Sequence, residues 1–169
     1  MQIYDMTIRQ DEILADVANR LKLAADSVQS NADMSAVADV LDDGNIDTLL
    51  AMVTRQVYNA MNVLLPYSQI PIKRYKEICG NDNVDVYCIR LLFRHERSET
   101  QIREARELIK AYIIYSCMAE WLELTMPAAN TFKIWEDKAS DVRDKLSTCL
   151  ATPLKARDIC IRPHWYCCD

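Results

Sequence analysis

Glycine stands at only two of 169 positions, Gly44 and Gly80, where an average usage of ~7% would place roughly 12. Any fold or site that needs several glycines is thereby excluded. Phosphate-cradling loops, dinucleotide fingerprints and turn-rich barrels all fall in that class. What is left is a chain of long regular elements with few tight turns. Half of its residues are apolar and 27% are charged, which at this length is enough for one globular domain with its own core.

Apolar periodicity locates those elements. Ile13, Leu14, Val17, Leu21, Ala24, Ala25 and Val28 recur at steps of three and four, so the pattern predicts a helix from about Arg9 to Val28, capped by Thr7 or Asp11. Met34 to Leu41 is expected to form a short helix, and Asp42 to Asn45 a turn after which Asn45 or Asp47 can cap the next helix. That second long helix is predicted from Ile46 to Leu65, where Pro66 disfavours helical geometry in the residue before it. The third, from about Thr100 to Thr125, is apolar on every side between Leu108 and Leu122. Such a helix is central or shared with another chain. Ile109, Tyr112, Ile113 and Leu122 are its expected buried residues. Phe132, Trp135, Ala139, Val142, Leu146 and Cys149 then define a fourth, amphipathic helix that ends at Thr152-Pro153.

Between the second and third helices the signal changes. Pro66 to Gly80 reads as irregular, with Lys73-Arg74-Tyr75-Lys76 as the start of a helical turn. Val84 to Phe93 is rich in branched and aromatic residues with partial alternation, which predicts a strand. A lone strand needs a partner, and Gln69 to Lys73, the C-terminal tail, or the edge of a neighbouring subunit are the candidates. The expected fold is mainly α: a four-helix bundle-like domain over residues 1–153 with a minor strand or hairpin, followed by an extended interaction tail over residues 154–169.

Charge and cysteine usage narrow the functional classes. Met1 to Asp47 carries ten acidic and three basic residues, net −7, whereas Thr48 to Asp169 carries fifteen and seventeen, net +2. This asymmetry fits a solvated acidic helix or an acidic end that meets a neighbour's basic region, and it argues against nucleic acid as the primary ligand. The opening residues have no apolar signal core, and the longest greasy stretch, Leu108 to Ala119, is about 12 residues where a membrane span needs ~20. A soluble, unexported chain is expected. The seven cysteines, odd in number and without regular spacing, read as reduced thiols.

Several constellations could carry chemistry, and each has a plainer reading. Glu104/Glu107 and Glu120/Glu123 resemble the carboxylate pairs with which helical nucleotide pyrophosphohydrolases hold magnesium. Here no breaker separates the pairs, so one helix would hold them roughly 24 Å apart, and Arg103 and Arg106 interleave with the first as on a salt-bridged face. Cys160, His164, Cys167 and Cys168 could ligate zinc, but adjacent cysteines strain one tetrahedral site, and an ordinary thiol-bearing tail is expected instead. His95 and His164 lie near no recognisable nucleophile motif, and Cys88 with His95 would sit over 20 Å apart on one strand. Lys73 to Lys76 is too small a basic patch for a nucleic-acid footprint. Trp121 and Trp135 fit core packing, with subunit contact as the alternative. No catalytic, cofactor or metal site is therefore expected. The interaction residues expected are Trp165 and Tyr166 as aromatic anchors and Arg157 and Arg162 as charged guides.

Thr7-Ile8-Arg9-Gln10-Asp11-Glu12-Ile13-Leu14-Ala15-Asp16-Val17-Ala18 resembles the first helix of small virion structural proteins of tailed phages and prophages, the head-tail connector or adaptor type. Leu64-Leu65-Pro66-Tyr67 resembles the close of their second helix, and Val84 to Phe93 the extended segment after it. The helix with Ala119-Glu120-Trp121-Leu122 and the helix of Trp135 and Val142 are similar to their last two, before a tail marked by Arg157 and Arg162. The cysteine-rich ending, Cys160 to Asp169, departs from that pattern. The resemblance implies a non-enzymatic, ring-forming protein whose partners are its own copies and portal or tail proteins. It would be cytoplasmic before assembly and part of the virion afterwards. A helical regulatory or adaptor protein with a cellular protein partner is the second reading, and a metal-dependent nucleotide hydrolase the third.

Overall fold

The computed structural model describes residues 2–27, 43–64, 73–79, 82–93, 97–125 and 130–151. Their elements come in the order β1 (Gln2–Arg9), α1 (Gln10–Ser27), α2 (Asp43–Leu64), β2 (Lys73–Cys79), β3 (Asp82–Phe93), α3 (Glu99–Thr125) and α4 (Phe132–Ala151). The chain is mainly helical, as its periodicity predicts, but the strand-like region is a three-stranded antiparallel sheet of order β1-β3-β2. The expected short helix at Met34 to Leu41, the domain boundary at 153 and the whole tail lie outside the described residues.

Both neighbours of β3 differ from expectation. β1 is formed by residues whose last three, Thr7 to Arg9, read as the entry to the first helix. In the fold it pairs with β3 from Gln2↔Phe93 to Arg9↔Val86 and passes without a break into α1. Its alternation explains this: Met6 and Ile8 are buried and Tyr4 half-buried, while Ile3, Asp5 and Thr7 face outward, the period-two pattern of a half-buried strand. β2 contains Lys73 to Lys76, which pair with β3 from Lys73↔Cys88 to Lys76↔Asp85 and form no helical turn. Hairpin pairing supplies backbone hydrogen bonds that an isolated basic turn lacks. Only Gly80 and Asn81 separate β2 from β3, and Gly-Asn is a two-residue hairpin signal.

One face of the sheet carries Tyr87, Ile89, Leu91 and Phe93 together with Met6 and Ile8, all buried in a single core with residues of every helix. α3 runs through the centre of that core. Ile109 and Ile113 are fully buried and Leu122 nearly so, and Tyr112 is half-buried against them. The helix starts at a capping box: the Gln101 N–H donates to the Ser98 hydroxyl (3.2 Å) and the Ser98 N–H to the Gln101 side chain (3.2 Å), an arrangement that satisfies two otherwise orphaned donors. Asn130, with φ of 51°, occupies the left-handed region that asparagine tolerates better than most residues. It precedes α4, which returns antiparallel to α3, with Trp135 beside Tyr115 (5.6 Å) near one end and the Cys149 thiol on the Gln101 carbonyl (3.6 Å) near the other.

Candidate functional site

Two surface features stand out, and both arise from how the helices flank the sheet and one another. The first is a polar groove of about 480 Å³ between α2, α3 and α4. Small residues, Ser116 and Ala119 on α3 and Ala139 and Ser140 on α4, leave it open, and Arg143 and Tyr112 continue it toward Asn59 and Ser147. Glu120 in its wall pairs with Arg55 and accepts a hydrogen bond from Gln56 (2.8 Å). That carboxylate thus ties α2 to α3.

The second is the sheet itself, whose helices all pack on one side. Its outer face is crossed by ion pairs. Asp5 and Arg90, directly opposite in the ladder, make two bonds of 2.6 and 2.7 Å. Arg9 reaches over β3 to Glu77 (2.8 Å), and Val86 beneath is only 1% exposed. Among the described residues β1 and β2 are edge strands with β3 as their sole partner.

The edges differ in chemistry. β2 carries Lys73, Arg74 and Lys76, the kind of charge with which proteins blunt an edge against further pairing. β1 carries no lysine or proline. Its one internal charge, Asp5, is held by Arg90, and Ile3 is 55% exposed. The N-terminal end of β1 is also tied to the end of α4: the Tyr4 hydroxyl donates to the Arg97 carbonyl (2.9 Å), and the Arg97 guanidinium donates to the Leu150 carbonyl (2.8 Å).

A polar network anchors the inner face near β2. The Gln10 side chain donates to the Leu50 carbonyl and to the Thr54 hydroxyl (both 3.2 Å). Thr54 gives its single proton to Leu50 (3.0 Å), so the buried Tyr87 hydroxyl, 3.1 Å away, is the donor between them. Arg74 pairs with Asp85 and lies over the Tyr87 ring. Its hydrogen bond holds the Asp85 carboxyl below the usual carboxylate range, and nearby positive charge adds to the effect against a smaller opposing burial effect. A lowered folded-state value adds stability above the unfolded carboxylate range and loses it as pH falls through the folded value. Asp85→Asn should therefore flatten the loss of stability as pH falls below about 5 and on through the lowered folded value, read as a smaller fall in urea midpoint than in the unaltered chain. An unchanged pH profile would contradict this.

The structure separates the residues singled out by chemistry. Glu104 lines a cleft with Lys145 and Cys149, whereas Glu120 and Glu123 line the groove, and one unbroken helix lies between the pairs. Among the described residues no group of three His, Cys, Asp or Glu side chains comes together as a metal ion would require. Cys117 is buried in the core, where desolvation pushes its thiol up to about 12, far from the range of a reactive thiolate. Trp121 is buried in the core, and Trp135 is half-buried with Lys138 over its ring (4.0 Å). Arg157, Arg162, Trp165 and Tyr166, with the tail cysteines and both histidines, lie outside the described residues. The edge of β1 and the wall residues Arg55 and Gln56 were not marked by sequence reasoning. The alternation of Ile3 to Ile8 could have revealed the first, but no linear signal announces the second. Among the described residues no helix is long and apolar enough to cross a membrane.

Compared with known proteins, the chain matches no protein-family model, no curated protein and no solved structure.

Proposed function

We propose that the protein is a non-enzymatic structural protein of the phage or prophage head-tail connector type, which assembles into a ring with its own copies and meets portal or tail proteins. One observation carries this reading: among the described residues the sheet ends in two chemically unlike edge strands, a β1 without lysine or proline and a basic β2. A ring needs head-to-tail contacts between two different surfaces of one subunit, and unlike edges on opposite sides supply such a pair. The tail, with Trp165 and Tyr166 as anchors and Arg157 and Arg162 as guides, adds the contact to neighbouring proteins. Cytoplasmic chains would become virion components on assembly.

Mass measurement by light scattering from low micromolar to high micromolar concentration, with electron microscopy of the largest species, tests the ring. Closed particles of one copy number are expected, alone or on a portal template. A chain that stays monomeric at every concentration and fails to join portal particles would overturn the reading. The polar groove favours a second one, an adaptor that binds a cellular protein partner there. Substitution of Ser116 and Ser140 by tryptophan would then abolish partner binding without altering ring assembly.

A further inference from the structure

We infer that the groove between α2, α3 and α4 takes a helix of a partner protein, one that presents two opposite charges seven residues apart with a leucine-sized side chain between them. The inference deepens the reading of the groove as a site for a protein partner and rests on it. It does not depend on the ring.

α2 and α4 both lie along α3 and both run antiparallel to it. Arg55 and Gln56 of α2 meet Glu120, whereas Asn59 and Asn62, further along α2, line the groove with Tyr112, which comes earlier in α3. The space over α3 between these two helices is the groove of about 480 Å³, a trough with three helical walls. Its middle is lined by small side chains, Ser116 and Ala119 of α3 and Ala139 and Ser140 of α4. Residues this small let a further helix approach at the usual spacing of about 8–10 Å. Four of them around one hollow form a hole that receives a single large side chain as a knob.

The two ends of the trough are opposite in charge. Glu123 and Glu136 line one end, and neither has an ion pair among the described residues. Arg143 lines the other, and its sole ion pair among the described residues is a 3.8 Å contact with the adjacent Asp144. Glu120 adds nothing for a ligand, because Arg55 and Gln56 already hold its carboxylate. Glu136, Ser140 and Arg143 are all exposed. Glu136 and Arg143 stand seven residues apart on α4, so two turns, about 10 Å, separate them along the helix. A helix lying beside α4 repeats its own surface at the same step, and its residues i and i+7 reach both charges. In an extended segment about 10 Å is three residues, and residues three apart point to opposite faces. The spacing of the charges therefore selects a helix over a strand.

Fluorescence anisotropy with synthetic peptides tests this, using alanine-rich helical sequences of about 20 residues with one central leucine. One peptide carries glutamate and lysine seven residues apart across that leucine, a second carries lysine at both places and a third glutamate at both. At physiological ionic strength the mixed peptide should bind roughly tenfold more tightly than either of the others, although the chain's net charge of −5 by itself favours the two-lysine peptide. Arg143→Glu should transfer that preference to the two-lysine peptide. Ser140→Trp, which fills the trough, should weaken binding of the mixed peptide at least tenfold. Both positions are exposed, so the cooperative melt should stay in place. Absence of binding by all three peptides overturns the inference, and so does a two-lysine peptide that binds the unaltered chain as well as the mixed one. A cellular partner that is lost on Ser140→Trp, with no preference among the peptides, leaves the adaptor reading standing and overturns the helix. A preference that moves as expected in Arg143→Glu, in a chain that binds no cellular protein, keeps the helix site and removes the cellular partner.

Discussion

Ile109→Ala is expected to lower the unfolding free energy by about 2–5 kcal/mol, the usual cost of truncating a large aliphatic side chain in a packed core. Ile109 has no exposed surface and lies in the middle of α3, the helix that shares one core with the sheet and the other helices. Little relaxation is open to such a site, because its neighbours are themselves fixed by several elements. Domains of this kind are typically stable by only about 5–15 kcal/mol, so the variant should lose a large fraction of the total. Leu124, on the same helix but 62% exposed, is the control, and Leu124→Ala should shift stability by no more than about 0.5 kcal/mol. Urea midpoints of the two variants decide the matter. An Ile109→Ala midpoint equal to that of the unaltered chain would mean that α3 is not the centre of the core.

Removal of the tail by truncation after Thr152 should leave a chain that melts cooperatively and has lost self-association and incorporation into particles. The core explains the first half. Among the described residues its apolar side chains lie in the elements from β1 to α4, and the last of them, Leu150, precedes the cut. The second half comes from the anchors, since aromatic residues beside arginine dominate many protein interfaces. A second truncation after Arg162 removes Trp165 and Tyr166 while keeping Arg157 and Arg162. It should lose assembly to the same extent as the shorter chain. Measured by light scattering and by pull-down with portal particles, retained assembly in either truncation would remove the anchors from the function. A shortened chain that unfolds would place the tail in the core.

The helices are legible along the chain, because each buries a stripe at a period of three to four residues and that period is a local property. α3 is legible even as the central helix, since apolar residues on all sides leave no solvent face, and Ile109, Ile113 and Leu122 are buried accordingly. β3 is legible for the same local reason, in its branched and aromatic run. The rest required long-range contacts. β1 begins an alternation that runs straight into a helical pattern at Gln10, so its last residues satisfy both periods, and only pairing with the distant β3 selects the strand. Lys73 to Lys76 has no strong preference of its own, and the ladder from Lys73↔Cys88 decides it. The groove walls belong to helices far apart in sequence. Arg55 and Glu120 meet because α2 and α3 pack together, and no spacing along the chain could have announced that contact. Arg97, too, joins β1 to the end of α4 only through the folded core. Local periodicity fixes what each segment can be, and long-range backbone pairing and packing fix which edges and faces remain for a partner.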